Sequence, residues 1–180
     1  MTFNSTILIL PGLGNSEETH WQTLWEKQFG FKRVQQREWE TPICSEWIET
    51  IDKEISAHDP SKIILVGHSL ACSTVGFWAK KFGRKIKGAL LVAPSDTEAD
   101  SYPTGTSGFA PMPVTAIPFP TITVTSSNDQ YVTLDRAQQF ARAWKSKLIN
   151  VGEAGHINVA AGFGPWQEGL EMLKQLDESV

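Results

Sequence analysis

Hydrophobic and polar positions along the chain change their period repeatedly. Thr6 to Leu10 is a short apolar run that reads as a strand and is stopped by Pro11-Gly12. Trp21, Leu24, Trp25 and Phe29 then recur at helical spacing, with Ser16 as the expected cap and Gly30 as the stop. Arg33 to Trp39 is a weaker, more polar strand candidate, suited to a sheet edge. Trp47, Ile48, Ile51 and Ile55 mark the buried face of a second helix, with Ser45 as its expected cap. Lys62 to Val66 is almost continuously apolar, as expected of a strand covered on both faces. A helix carrying Val75, Trp78, Ala79 and Phe82 follows and ends at Gly83. Ala89 to Ala93 and the β-branched Thr121 to Thr125 are two further strands. Thr133 is expected to cap a helix with Leu134, Ala137, Ala141 and Trp144 on one side, and Leu148 to Val151 is the last strand. Trp166, Leu170 and Leu173 define a terminal helix, with Pro165 at its first turn.

This alternation predicts βαβ units, and so an α/β fold built on a mostly parallel sheet of about six strands with helices on both faces. Only Asp96 to Pro120 breaks the rhythm. It carries five prolines and little helical periodicity, and reads either as a functional loop or as an irregular surface crossover. The chain has 180 residues, 41% of them apolar and 20% charged, which is ordinary globular composition and fits one domain over residues 1–180. A net charge of −4 argues against nucleic acid or an anionic membrane as partner. No apolar run is long enough for a membrane span, and the N-terminus lacks the basic start of a signal peptide. Cys44 and Cys72 have no CxxC spacing, so a reducing, cytoplasmic setting is expected.

The chemistry-bearing stretch is Gly67-His68-Ser69-Leu70-Ala71, directly after the apolar strand and before a helix. In a parallel sheet, ligands bind beyond the carboxyl ends of the strands. A serine on a sharp strand-to-helix turn there is placed as a nucleophile, and small residues two before and two after it let the backbone pass closely. Gly67 meets that demand, and Ala71 adds one methyl where glycine is usual. The alternative is an ordinary strand end, so the reading turns on a base and an acid. Of four histidines, His20 belongs to the first helix region, His58 to a helix end, and His68 adjoins the serine itself. His156 follows the last strand in Gly155-His156-Ile157-Asn158 and is the candidate base. Asp129, after the fifth strand, is the candidate acid, with Asp96 after the fourth as its rival. Serine, aspartate, histidine is the chain order used by α/β-hydrolases. The glycine-rich Pro11-Gly12-Leu13-Gly14-Asn15 loop makes the Leu13 amide a candidate partner to the Leu70 amide in an oxyanion hole. Phe109, Met112 and Phe119 are candidates for an acyl pocket, with core packing as the alternative. The scattered histidines show no metal-ligand spacing, so neither metal nor other cofactor is expected.

The motifs Leu10-Pro11-Gly12, His20-Trp21 with Trp25, Gly67-His68-Ser69, Val92-Ala93-Pro94, Ser127-Asn128-Asp129, Gly155-His156-Ile157-Asn158 and Gly164-Pro165-Trp166 span nearly the whole chain. Together they resemble the small α/β-hydrolase family of serine hydrolases that includes bacterial YdeN-type proteins and the mammalian retinoblastoma-binding serine hydrolase. The resemblance implies a minimal α/β-hydrolase fold without a large cap domain, and a Ser69–His156–Asp129 triad. The retinoblastoma-binding member carries a Leu-x-Cys-x-Glu segment. Here Pro42 stands in place of the leucine before Cys44 and Glu46, so that binding is not expected to transfer. The expected activity is hydrolysis of small acyl compounds, carboxylic esters above all, through an acyl-enzyme. The expected partner is a small-molecule acyl substrate. Two alternatives stand beside it: a binding or regulatory protein with an idle triad on the same scaffold, and an amidase or aminopeptidase-like enzyme.

Overall fold

The computed structural model describes residues 1–179. Six strands form one sheet: β1 (Thr6–Leu10), β2 (Lys32–Arg33), β3 (Ile63–His68), β4 (Gly88–Val92), β5 (Thr121–Thr125) and β6 (Lys147–Asn150). Their order across the sheet is β2-β1-β3-β4-β5-β6, and every pairing is parallel. The helices are α1 (Trp21–Phe29), α2 (Cys44–Ser56), α3 (Leu70–Phe82), α4 (Leu134–Trp144) and α5 (Gln167–Glu178). With residues alternating between the two faces of a strand, Leu8, Leu10, Leu65 and Leu91 pack on one side against α2, α3 and α4. Ile7, Ile9, Ile64, Val66, Leu90 and Val92 pack on the other side against α1 and α5. This is a minimal α/β-hydrolase fold. Both cores are rich in tryptophan: Trp47, Trp78 and Trp144 fill the first, Trp21, Trp25 and Trp166 the second.

Local chemistry accounts for most element ends. Gly30 and Gly83 close α1 and α3 in the left-handed region, at φ 71° and 61°. Thr133 caps α4 by accepting the Arg136 amide. Several sequence-based boundaries shift, among them that of α5: Pro165, expected in its first turn, precedes the cap residue Trp166 and lies outside the helix. Arg33 to Trp39 contributes only Lys32–Arg33 to the sheet, because Gln35 to Glu38 is a polar stretch that leaves the edge once the Val34 amide has donated to Ile9. His20, not Ser16, caps α1: its Nδ1 accepts the Gln22 amide, while the Ser16 hydroxyl donates to the Gln22 side chain. Helix α2 begins one residue before Ser45, with Ile43 at its cap and no side-chain capping bond.

The segment from Asp96 to Pro120 forms no helix or strand and makes only an isolated bridge, Ile43 to Ser107. It does not rise over the sheet as a cap. Instead Phe109, Met112, Ile117 and Phe119 are buried in the α2–α3–α4 core, and the Trp144 indole donates to the Pro113 carbonyl at 2.7 Å. Gly76 of α3 receives this segment: a Cβ there would lie 2.7 Å from Cγ of Pro113. Gly76→Ala gains up to ~1 kcal/mol of helix propensity but forces apart two pinned surfaces, which costs about 1–3 kcal/mol. We expect a net loss of stability and a lower melting temperature in thermal denaturation. A rise would show that the segment yields freely.

Candidate active site

Strand β3 pairs with β4 up to His68 opposite Val92. The last bond of this pairing is donated by the Ser69 amide to the Val92 carbonyl, at 2.9 Å, before α3 starts at Leu70. To satisfy both, Ser69 adopts φ 58° and ψ −123°. A non-glycine residue held there stores about 1–3 kcal/mol, and such strain gathers at functional sites. Three other non-glycine residues at positive φ, Asn15, Ala93 and Ile157, lie in loops at the same end of the sheet. The turn projects the Ser69 side chain beyond the sheet, and crowding there explains the small neighbours. A Cβ on Gly12 would meet Ser69 Cβ at 2.8 Å and the His68 carbonyl at 2.9 Å. Ala71 takes its extra methyl into the core, where the residue is 1% exposed.

The loops after β5 and β6 are laced together. The Ser127 amide donates to the Gly152 carbonyl, the Gly155 amide to Asn128 Oδ1 at 2.7 Å, and the Ala154 amide to Ser126 Oγ at 3.0 Å. This lacing sets Asp129 beside His156. Nδ1 of His156 lies 2.8 and 3.0 Å from the two carboxylate oxygens of Asp129, whose Oδ1 also accepts the Tyr131 amide. Nε2 of His156 lies 2.9 Å from Oγ of Ser69. A hydroxyl, an imidazole and a carboxylate therefore form one hydrogen-bonded chain across the ends of three strands. Two further bonds hold the backbone of the His156 loop: His68 Nε2 donates to the His156 carbonyl at 2.9 Å, and the Trp21 indole to the Ile157 carbonyl at 2.8 Å.

The rival groups are engaged elsewhere. Asp96 accepts two bonds from the Arg136 guanidinium, at 2.7 and 3.0 Å. His58 contacts Glu54 on the far side of α2's end. His20 and His68 stand in a row with His156, their ring centroids 4.9 Å apart at each step. Burial, reinforced by neighbouring positive charge, pulls His20 down to about 4 and His68 well below the usual histidine range, so both rings are neutral near pH 7. Burial pushes the Cys44 thiol up to about 12 and Cys72 higher still, which leaves neither as a nucleophile. Among the described residues, no cluster of three or more histidine, cysteine or acidic side chains is arranged to hold a metal ion, and no helix is long and apolar enough to cross a membrane.

A family model described as serine hydrolase matches residues 7–175. The chain belongs to the serine hydrolase family. A YdeN-like hydrolase from Pectobacterium atrosepticum is 36% identical, with a TM-score of 0.83 and coverage of 96% of this chain and 90% of that one. The ydeN gene product of B. subtilis is 17% identical with the same TM-score of 0.83, covering 98% and 100%. A thermophilic esterase from Thermogutta terrifontis, solved with butyrate bound, is 18% identical with a TM-score of 0.65, covering 97% and 82%. The last two likenesses concern the fold alone. No curated protein matches the chain.

In this serine hydrolase the Ser69–His156 pair opens onto a cleft of about 390 Å³. Leu13, His20, Ser95, Tyr131 and Asn158 are among the residues that line it. The Leu13 loop runs against the turn, since a Cβ on Gly12 would also lie 3.2 Å from the Leu70 amide nitrogen. Neither the Leu13 nor the Leu70 amide donates to a backbone carbonyl among the described residues. The acyl-pocket candidates are corrected. Phe109, Met112 and Phe119 are 2%, 3% and 7% exposed and belong to the core rather than the cleft, because their segment folds inward over α3. Sequence reasoning also missed Ser95, whose Oγ lies 2.8 Å from that of Ser69. Its position directly after a strand, beside the Val92-Ala93-Pro94 motif, was the available signal.

The neutral histidines predict a pH response. Unfolded histidine titrates near 6.5 and folded His20 near 4, so between those values the unfolded chain binds more protons. Stability is therefore complete above about pH 6.5 and falls as pH drops through that window, by up to ~1.4 kcal/mol per pH unit for each such ring. Thermal melts from pH 7 to 4 should show this loss. His20→Asn, which keeps a capping acceptor without a titrating ring, should show a shallower one; superimposable profiles would exclude His20 as a source.

Proposed function

We propose that this serine hydrolase cleaves small carboxylic esters through a covalent acyl-enzyme, with Ser69 as nucleophile, His156 as base and Asp129 as its orienting acid. The observation that carries the reading is the continuous chain from Ser69 Oγ through both nitrogens of His156 to the Asp129 carboxylate, at 2.9 and 2.8 Å. Because Nδ1 donates to the carboxylate, Nε2 of the neutral ring accepts the serine proton. As Oγ bonds to the acyl carbon, that proton passes to Nε2, and Asp129 stabilises the imidazolium that results. The carbonyl oxygen takes up the displaced electron pair and is held by the Leu13 and Leu70 amides, the second at the N-terminus of α3. His156 returns the proton to the departing alkoxide. Water then attacks the acyl-enzyme by the same route in reverse, releasing the acid and restoring Ser69.

Two observations favour small substrates. A cleft of about 390 Å³ is near the lower end for ligand sites. The aromatic residues that would lengthen an acyl channel are instead in the core. Butyrate, bound in the related Thermogutta terrifontis esterase, is of the size such a cleft accepts.

A fluorophosphonate probe should label Ser69 in the folded wild-type protein, and a panel of acyl p-nitrophenyl esters should be hydrolysed best at short chain lengths. Ser69→Ala should abolish labelling and lower kcat by roughly 10⁴-fold or more. A folded wild-type protein that neither labels nor hydrolyses any ester would leave the binding-scaffold alternative, and faster turnover of aminoacyl amides than of esters would favour the peptidase one. The Leu13 loop has its own test. Gly12→Ala must move that loop away from the turn, and loss of one oxyanion donor costs roughly 10²–10³-fold in kcat. We expect a fall of that order, together with a lower melting temperature because the new methyl meets the buried backbone of the turn; near-wild-type turnover in the folded variant would remove this loop from the oxyanion hole.

A further inference from the structure

Resting on the hydrolase reading above, we propose that Ser95 is a further catalytic residue, which donates a hydrogen bond to the nucleophilic oxygen of Ser69 and assists formation of the acyl-enzyme. The two hydroxyl oxygens are 2.8 Å apart, and Ser95 is 1% exposed yet borders the cleft. Distance alone leaves the direction of this bond open, and the rest of the chain decides it. Asp129 offers its carboxylate oxygens to Nδ1 of His156, so Nδ1 carries the ring proton and Nε2 is an acceptor. The single proton of Ser69 is therefore committed to Nε2, 2.9 Å away. Ser69 Oγ has only acceptor capacity left, and Ser95 must be the donor.

The backbone delivers Ser95 to this place. Strand β4 ends at Val92, the Ala93 amide donates to the Val124 carbonyl, and Ala93 turns at φ 50° before Pro94. The chain thus reverses beside the Ser69 turn, whose own amide is tied to Val92. Two strained residues on adjacent strands bring the two hydroxyls together.

The bond changes strength along the reaction. Hydrogen bonds to a charged acceptor are roughly twice as strong as neutral ones. As Ser69 gives its proton to His156 and bonds to the acyl carbon, its oxygen first gains negative character, and the Ser95 hydroxyl, which keeps its own proton, stabilises it. Once the ester has formed, that oxygen is a poor acceptor. When water attacks the acyl-enzyme, the nucleophile is the water oxygen and the serine oxygen remains esterified. Ser95 therefore acts on acylation by an activated ester and has little effect on the attack of water. A merely structural role would disturb both steps, since both use His156 and the same oxyanion donors.

The test is stopped-flow hydrolysis of a p-nitrophenyl ester by Ser95→Ala, resolving the burst (acylation) from the steady state (deacylation), alongside the second-order rate of fluorophosphonate labelling. Acylation and labelling should each slow by about tenfold, the worth of one charge-assisted hydrogen bond, with deacylation and melting temperature close to wild type. Equal slowing of both steps, or no slowing of acylation, would overturn the proposal while leaving the Ser69 reading intact. If wild type itself shows neither burst nor labelling, the hydrolase reading fails and this one with it. Should Ser95→Ala not fold, Ser95→Cys keeps the side-chain volume and weakens the donor, so the same acylation-specific loss is expected and its absence counts against the role.

Discussion

One backbone hydrogen bond governs the geometry of this site: the Ser69 amide to the Val92 carbonyl, 2.9 Å, the last bond of the parallel ladder that ends with His68 opposite Val92. A chain that makes this rung and then enters a helix at the next residue has to turn at once, and the left-handed Ser69 conformation follows. The strain is held because both flanking elements are buried. All residues of β3 are buried, and Leu70, Ala71 and Cys72 are at most 1% exposed. Gly12 is required for the same reason, since the space behind the turn has no room for a side chain.

Around that turn the polar groups are arranged in advance of any substrate. The bonds from the Ala154 amide to Ser126 and from the Gly155 amide to Asn128 clamp two loops whose spacing sets the Asp129–His156 contact. His68 and Trp21 hold the backbone of the His156 loop from the other side. The neutral rings of His20 and His68 place no competing positive charge next to His156. A network in which each buried group has a partner does not need to reorganise when charge develops, which is the basis of electrostatic catalysis.

The fold is small because its one long irregular segment is spent on the core. Phe109, Met112, Ile117 and Phe119 close the α2–α3–α4 face, and the cleft is walled by the loops at the strand ends, with Tyr102 and Pro103 of this segment at its border. That difference in use of one crossover separates a minimal fold from one with a cap, and it bears directly on how large a substrate the site admits.

Much of this architecture was legible in the sequence because it depends on local order. Periodicity located the five helices and the other five strands, while the polar edge strand expected over Arg33 to Trp39 shrank to Lys32–Arg33; Gly30, Gly83 and Thr133 marked element ends by conformational preference alone. Ser69, Asp129 and His156 stood out because each follows a strand in a parallel sheet, so the topology puts them at one edge. Tertiary structure decided what depends on distance between remote segments. It gave Asp96 to Arg136 and left Asp129 beside His156, a choice between two similar strand-end aspartates that no local pattern makes. It sent three aromatic and apolar pocket candidates into the core, since hydrophobic side chains take whichever apolar surface the chain path offers. It set Ser95 against Ser69, a contact created by two strained turns on neighbouring strands. The sequence by itself determined which groups reach the carboxyl edge, through the period of its strands and helices; only the packing of loops far apart in the chain decided which of them touch.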